Sequence, residues 1–129
     1  MTNGDRWSAY WRKSRENLDV SDYAQSEGKF NAAMSRYYYA LRFAVGAAFL
    51  KRGLSDPIPK MHWELIREAA TNLKKVNPDL KAWFDKAKSL RQRGDYKEMP
   101  VLPQEFKNLV DELDIIFVVI KDEIFESRK

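Results

Sequence analysis

Along the chain, large apolar residues recur three and four positions apart in five runs, and most of the few glycines and prolines fall between those runs. This spacing places one side of an α-helix on a core, so the pattern predicts an all-α domain: an antiparallel bundle of about five helices, without strands, repeats or low-complexity tracts. The first predicted helix covers residues 5–27 and anchors through Trp7, Tyr10, Trp11, Leu18 and Tyr23, with Asp19-Val20-Ser21-Asp22 as a place to kink or restart. Gly28 follows, where a left-handed cap costs least. The second helix, residues 29–52, carries Phe30, Ala33, Met34, Tyr37, Leu41, Ala44, Val45, Ala48 and Phe49 on one face, and Gly53 closes it. Its many alanines keep it thin, which suits the centre of a bundle.

The linker LSDPIPK holds two prolines and cannot continue a helix. A third helix is expected over residues 61–76, with Trp63, Leu65, Ile66, Ala69, Ala70 and Leu73 inward. The fourth covers 78–93, opened by Pro78 and stopped by Gly94, with Leu80, Trp83, Phe84, Ala87 and Leu90 facing the core. The last covers 104–127 through Phe106, Leu109, Val110, Leu113, Ile116, Phe117, Ile120 and Ile124. Ile115, Val118 and Val119 lie off that face. Either this helix is central to the bundle, or its second face meets another subunit; the second alternative makes the protein a homodimer.

Length and composition narrow the picture further. A chain of 129 residues is one domain, 1–129, long enough to bury a core without staples. With no cysteine and one histidine it has no disulfide framework, no thiolate nucleophile and no usual zinc ligand set. Neither a cofactor nor a metal is expected. The amino terminus is charged throughout and the apolar run IIFVVI is far shorter than the roughly 20 residues of a membrane span, so a cytoplasmic protein with no membrane partner is expected. The net charge of +4 is uneven: residues 1–97 hold 19 Lys and Arg against 11 Asp and Glu, whereas residues 98–129 hold 4 against 8. A basic body with an acidic last helix fits a polyanionic ligand on the body, but charge counts of this size fit an ordinary solvated surface better.

Three features carry candidate chemistry. His62 opens the third predicted helix, as a general base or as a simple cap, with no dyad partner near it in sequence. In SRYYYALR three consecutive tyrosines point about 100° apart on a helix, so they cannot all be core. Arg36 with Tyr39 or Tyr38 could line a groove suited to bases and phosphates, or one tyrosine could sit at a helix crossing. In RQRGDY, Arg91 and Arg93 suit the negative end of a helix dipole and Gly94 suits its cap, but Asp95 and Tyr96 are left over. A carboxylate that can fix an arginine fork and a phenol that can donate to phosphate point to an anion site or a buried polar clamp. The dinucleotide, P-loop and serine-hydrolase fingerprints are absent.

These stretches together resemble the HEPN superfamily, in particular its small stand-alone prokaryotic proteins. The glycine, aromatic and A-x-S-R-Y-Y-Y-A of residues 24–53 resemble the family's second helix, H-W-E-L at 62–65 its third, and R-Q-R-G-D-Y at 91–96 its R-x-x-[A/G]-D-Y signature. The resemblance, over roughly residues 20–125, implies a helical bundle, usually a homodimer, related to ribonuclease toxins and to partners of minimal nucleotidyltransferases in toxin–antitoxin and defence systems. Nuclease members pair an arginine with a histidine four to six residues on and cleave RNA without metal. Arg91 matches that arginine, but Tyr96 stands where R-x4-H puts histidine. Tyrosine, with a pKa of about 10, and aspartate, with a pKa of about 4, are poorly poised to take and return a proton at neutral pH. The resemblance thus leaves two readings. One is an RNA- or nucleotide-associating, ribonuclease-like protein with candidate catalytic residues Arg91, Asp95 and Tyr96 and anion-binding residues Arg36, Tyr39 and Arg93. The other is a non-catalytic module whose partner is a nucleotidyltransferase-type antitoxin or another defence protein.

Overall fold

The computed structural model describes residues 3–51, 80–96 and 100–125. Four helices stand among them: α1 (Asn3–Ser26), α2 (Phe30–Lys51), α3 (Leu80–Tyr96) and α4 (Pro103–Phe125). The described residues contain no strand, and none of their helices is long and apolar enough to cross a membrane. The third predicted helix, with His62, lies outside the described residues, as does Gly53.

α1 and α2 form an antiparallel hairpin. Its turn closes as a Schellman motif: Gly28 takes φ 74°, its N–H donates to Gln25 O at 3.0 Å, and the Lys29 N–H donates to Ala24 O at 2.8 Å. The helix runs through Asp19-Val20-Ser21-Asp22 without a break. The Ser21 hydroxyl, which sequence alone leaves free to compete for its own backbone, instead donates across the interface to Ala33 O at 2.8 Å. Two turns earlier the Ser14 hydroxyl does the same to Ala40 O at 2.7 Å. Both serines are buried, so each polar group brought into the interface has a partner there.

α2 packs against all three other helices. Its second half is buried on every side, from Ala44 through Leu50, as the alanine-rich pattern predicts for a central helix. α4 lies on it through Phe106, Leu109, Leu113, Ile120 and Ile124, all buried. Ile115 and Val118 remain 55% and 60% exposed, so α4 is a flanking helix with an outer apolar pair and not a second centre. Its start is capped on both sides of the turn. Pro103 is the first helical residue, and Glu105 Oε1 reaches back to accept the Leu102 N–H at 3.0 Å. Asn31 Oδ1, on the first turn of α2, accepts the Val101 N–H at 2.7 Å and ties this entry to the hairpin.

The expectation that Gly94 stops its helix is corrected: α3 continues through Gly94 and Asp95 to Tyr96. A glycine inside a helix costs about 1 kcal/mol relative to alanine, and packing against a neighbour can exceed that. α3 packs on α2 and α4, and its last turns are fastened to α4 by an ion pair between Arg93 and Glu105.

Candidate functional site

The three consecutive tyrosines of α2 lead to three surroundings because each helical step turns the side chain by about 100°. Tyr37 points at α4, where its hydroxyl donates to Asp114 Oδ1 at 2.8 Å and its ring meets Phe106 and Phe117 edge to face. Burial, and then the Asp114 carboxylate, push its pKa far up, so Tyr37 is a protonated core residue. Tyr38 turns toward α3. The Arg91 guanidinium lies over its ring at 4.9 Å, with Arg42 over it at 5.9 Å. Tyr39, partly buried, has Arg91 over its ring at 5.5 Å and Arg36 at 5.7 Å. The rings of Tyr38 and Tyr39 meet edge to face with centroids 5.5 Å apart.

Two tyrosine rings thus gather three guanidiniums from two helices. Arg36 is steadied from α1, its Nη1 donating to Asn17 Oδ1 at 3.2 Å. Arg42 also hydrogen-bonds the Tyr38 hydroxyl, so it is tied to that tyrosine through ring and phenol alike. Burial raises the Tyr38 phenol pKa, against the pull of Arg42 and Arg91. The phenol stays protonated near neutral pH and can donate, but neither it nor any guanidinium can act as a base. The cluster is equipped to bind an anion.

The sequence model of the HEPN domain matches residues 7–122, from the first turns of α1 to near the end of α4. The chain belongs to the HEPN domain family. A UPF0332 protein of Thermotoga maritima is 28% identical over 106 residues, covering 81% of this chain and 80% of that protein. No solved structure matches the chain.

Within this HEPN domain the signature R-Q-R-G-D-Y occupies the last turns of α3. Arg91, Arg36 and Tyr39, expected from sequence to belong to one site, do come together. Arg93 does not join them. It pairs with Glu105, whose carboxylate is held below the usual range first by that hydrogen bond and then by the Leu102 N–H. Together they line a groove of about 680 Å³ between α3 and α4, with Lys86, Gln92 and Asn108 beside them and Leu90 and Leu109 also in its lining. Asp95 follows Arg91 by four residues in continuous helix, a position on the same face, and not in a loop as expected. The side chains of Asp95 and Tyr96 lie outside the described residues. Tyr38 and Arg42 complete the cluster, and Arg42 is the member that sequence reasoning misses. Its signal is the i, i+4 spacing from Tyr38, which puts both on one helical face.

Proposed function

We propose that this HEPN protein binds RNA, or a nucleotide through its phosphates, at the cluster of Arg36, Arg42 and Arg91 around Tyr38 and Tyr39, and that binding rather than cleavage is its principal chemistry. One observation carries the reading: the arginine of the family signature, Arg91, lies over both tyrosine rings that hold the two α2 guanidiniums. Arg36 is exposed and Tyr39, Arg42 and Arg91 are partly so, and a polyanion can add charge-assisted hydrogen bonds to guanidiniums placed side by side there. Tyr96 in the place of the nuclease histidine removes the group best suited to proton transfer, so cleavage is slow or absent. A role in a toxin–antitoxin or defence system, and a nucleotidyltransferase-type partner, belong to the same proposal. So does pairing with a second copy, which is common among HEPN domains.

The test uses the purified chain in EDTA with a labelled pool of tRNA and mRNA, beside Arg91→Ala. Wild type should retain RNA in a salt-dependent manner and Arg91→Ala should lose about tenfold or more in affinity, one charge-assisted contact being worth ~1.5–3 kcal/mol. Rapid cleavage that Arg91→Ala abolishes would replace the binding reading with a nuclease one. Equal RNA affinity in the two proteins would remove Arg91 from the site.

A further inference from the structure

α4 carries apolar residues on opposite sides. Phe106, Leu109, Leu113, Ile120 and Ile124 face the core, while Ile115 and Val118, three positions apart, face outward at 55% and 60% exposure. At about 100° per residue these two stand roughly half a turn from the buried stripe, so no rotation of the helix brings them into the core without expelling it. The charged residues within one turn of this pair are Asp111, Glu112 and Asp114 before it and Lys121 and Asp122 after it. Glu112 leans to α3, 3.5 Å from Lys86 Nζ, and Asp114 accepts from Tyr37. The surroundings of the pair therefore remain acidic, with Asp111 and Asp114 exposed and Lys121 as the cation nearest to it along the helix.

We infer that this outer stripe of α4 is a docking surface for a basic amphipathic helix of another protein, whose aliphatic side chains cover Ile115 and Val118 and whose Lys or Arg residues face Asp111, Asp114 and Asp122. Charge decides the occupant. Residues 98–129 hold 8 Asp and Glu against 4 Lys and Arg, so the stripe repels phosphate groups, whether of a nucleic acid or of an anionic membrane. It also disfavours a second copy. A two-fold antiparallel pair centred on Ile115 and Val118 lays Asp111 of one copy against Asp122 of the other, twice, and like charges across an interface oppose association. Pairing of two copies therefore belongs to another face. Two exposed aliphatic residues cover a small area, so the complex is weak and transient, and its rim charges make it salt-sensitive.

The experiment titrates the full chain into a fluorescein-labelled helical peptide of Leu and Lys with one apolar face, and into the same peptide with Glu in place of every Lys. Fluorescence anisotropy should show micromolar binding of the Lys peptide and none of the Glu peptide. Ile115→Ser with Val118→Ser, and separately Asp111→Asn with Asp122→Asn, should each weaken binding about tenfold or more, 1.4 kcal/mol being one decade. Raising salt from about 50 to about 300 mM should weaken it further. RNA binding at the guanidinium cluster should be unchanged in the serine variant, which separates this surface from that site. Equal binding of the two peptides, binding of neither, or indifference to both variants overturns the inference. So does a wild-type dimer in sedimentation equilibrium that the serine variant converts to monomer, because a second copy then occupies the stripe.

Discussion

Two sides of α2 treat polar and aromatic groups in opposite ways. Toward α1 and α4 three buried hydroxyls each have one partner: Ser14 has Ala40 O, Ser21 has Ala33 O and Tyr37 has Asp114. Toward α3, three cations crowd onto two tyrosine rings. The first side pairs its buried hydroxyls one to one, as a protein interior must when polar groups leave water. The second places three guanidiniums and two aromatic rings at a partly exposed surface, a composition suited to the proposed anion. Adjacent tyrosines on one helix thus serve different ends, and the neighbouring helix decides which.

The contrast breaks most visibly in the core. Leu41→Ala, at a fully buried position of α2, should cost about 2–5 kcal/mol by chemical denaturation, yet leave RNA affinity of the folded fraction unchanged. Loss of affinity in parallel with stability would mean that the two sides are not separable. Tyr39→Ala should do the reverse, lowering RNA affinity several-fold through lost cation–π contacts of about 0.5–1 kcal/mol each, while costing less stability than Leu41→Ala because Tyr39 is only partly buried.

The two kinds of tyrosine can also be told apart by titration. Tyr37 has a raised pKa, so it contributes stability that is complete below the ordinary tyrosine value of 10.0 and is lost as pH rises above it. Tyr37→Phe should therefore lower stability by about 1 kcal/mol at pH 7, the net worth of one hydrogen bond, and flatten the alkaline fall in stability. An alkaline limb identical to wild type would exclude Tyr37 as its source.

The smallest effect concerns Glu105. Its pKa is lowered by Arg93 and the Leu102 N–H, so the stability it adds is present above the ordinary value of 4.5 and fades as pH falls through the lower, folded value. Glu105→Gln should be nearly neutral in the most acidic conditions and mildly destabilising at pH 7, with a shallower acid limb. An unchanged acid limb would show that the pair with Arg93 adds nothing measurable, as is common for exposed ion pairs.

Much of the fold was legible because periodicity reports burial directly. The alanine-rich second run predicted a central helix, Gly28 predicted the left-handed cap, and both are seen. Gly94 was misread for the same reason that Gly28 was read well. A glycine permits a helix end but does not compel one, and whether α3 stops there depends on packing and on the Arg93–Glu105 pair, which no local window contains. Arg36, Tyr39 and Arg91 were legible as candidates from residue type and from the family motif. That Arg42 joins them and Arg93 leaves them was not, because two arginines in one helical turn look alike until their neighbours are known.

The sequence by itself determined an all-α chain of the HEPN domain family, with a thin central helix and an arginine–tyrosine signature, since these follow from local spacing and residue type. Periodicity already set Tyr37 on the buried face and Ile115 and Val118 off it; tertiary structure alone decided that guanidiniums gather on Tyr38 and Tyr39 and which arginine is tied to a carboxylate. Those outcomes depend on contacts between residues far apart in the chain, and a side chain's charge state and exposure are set by whichever helix packs against it.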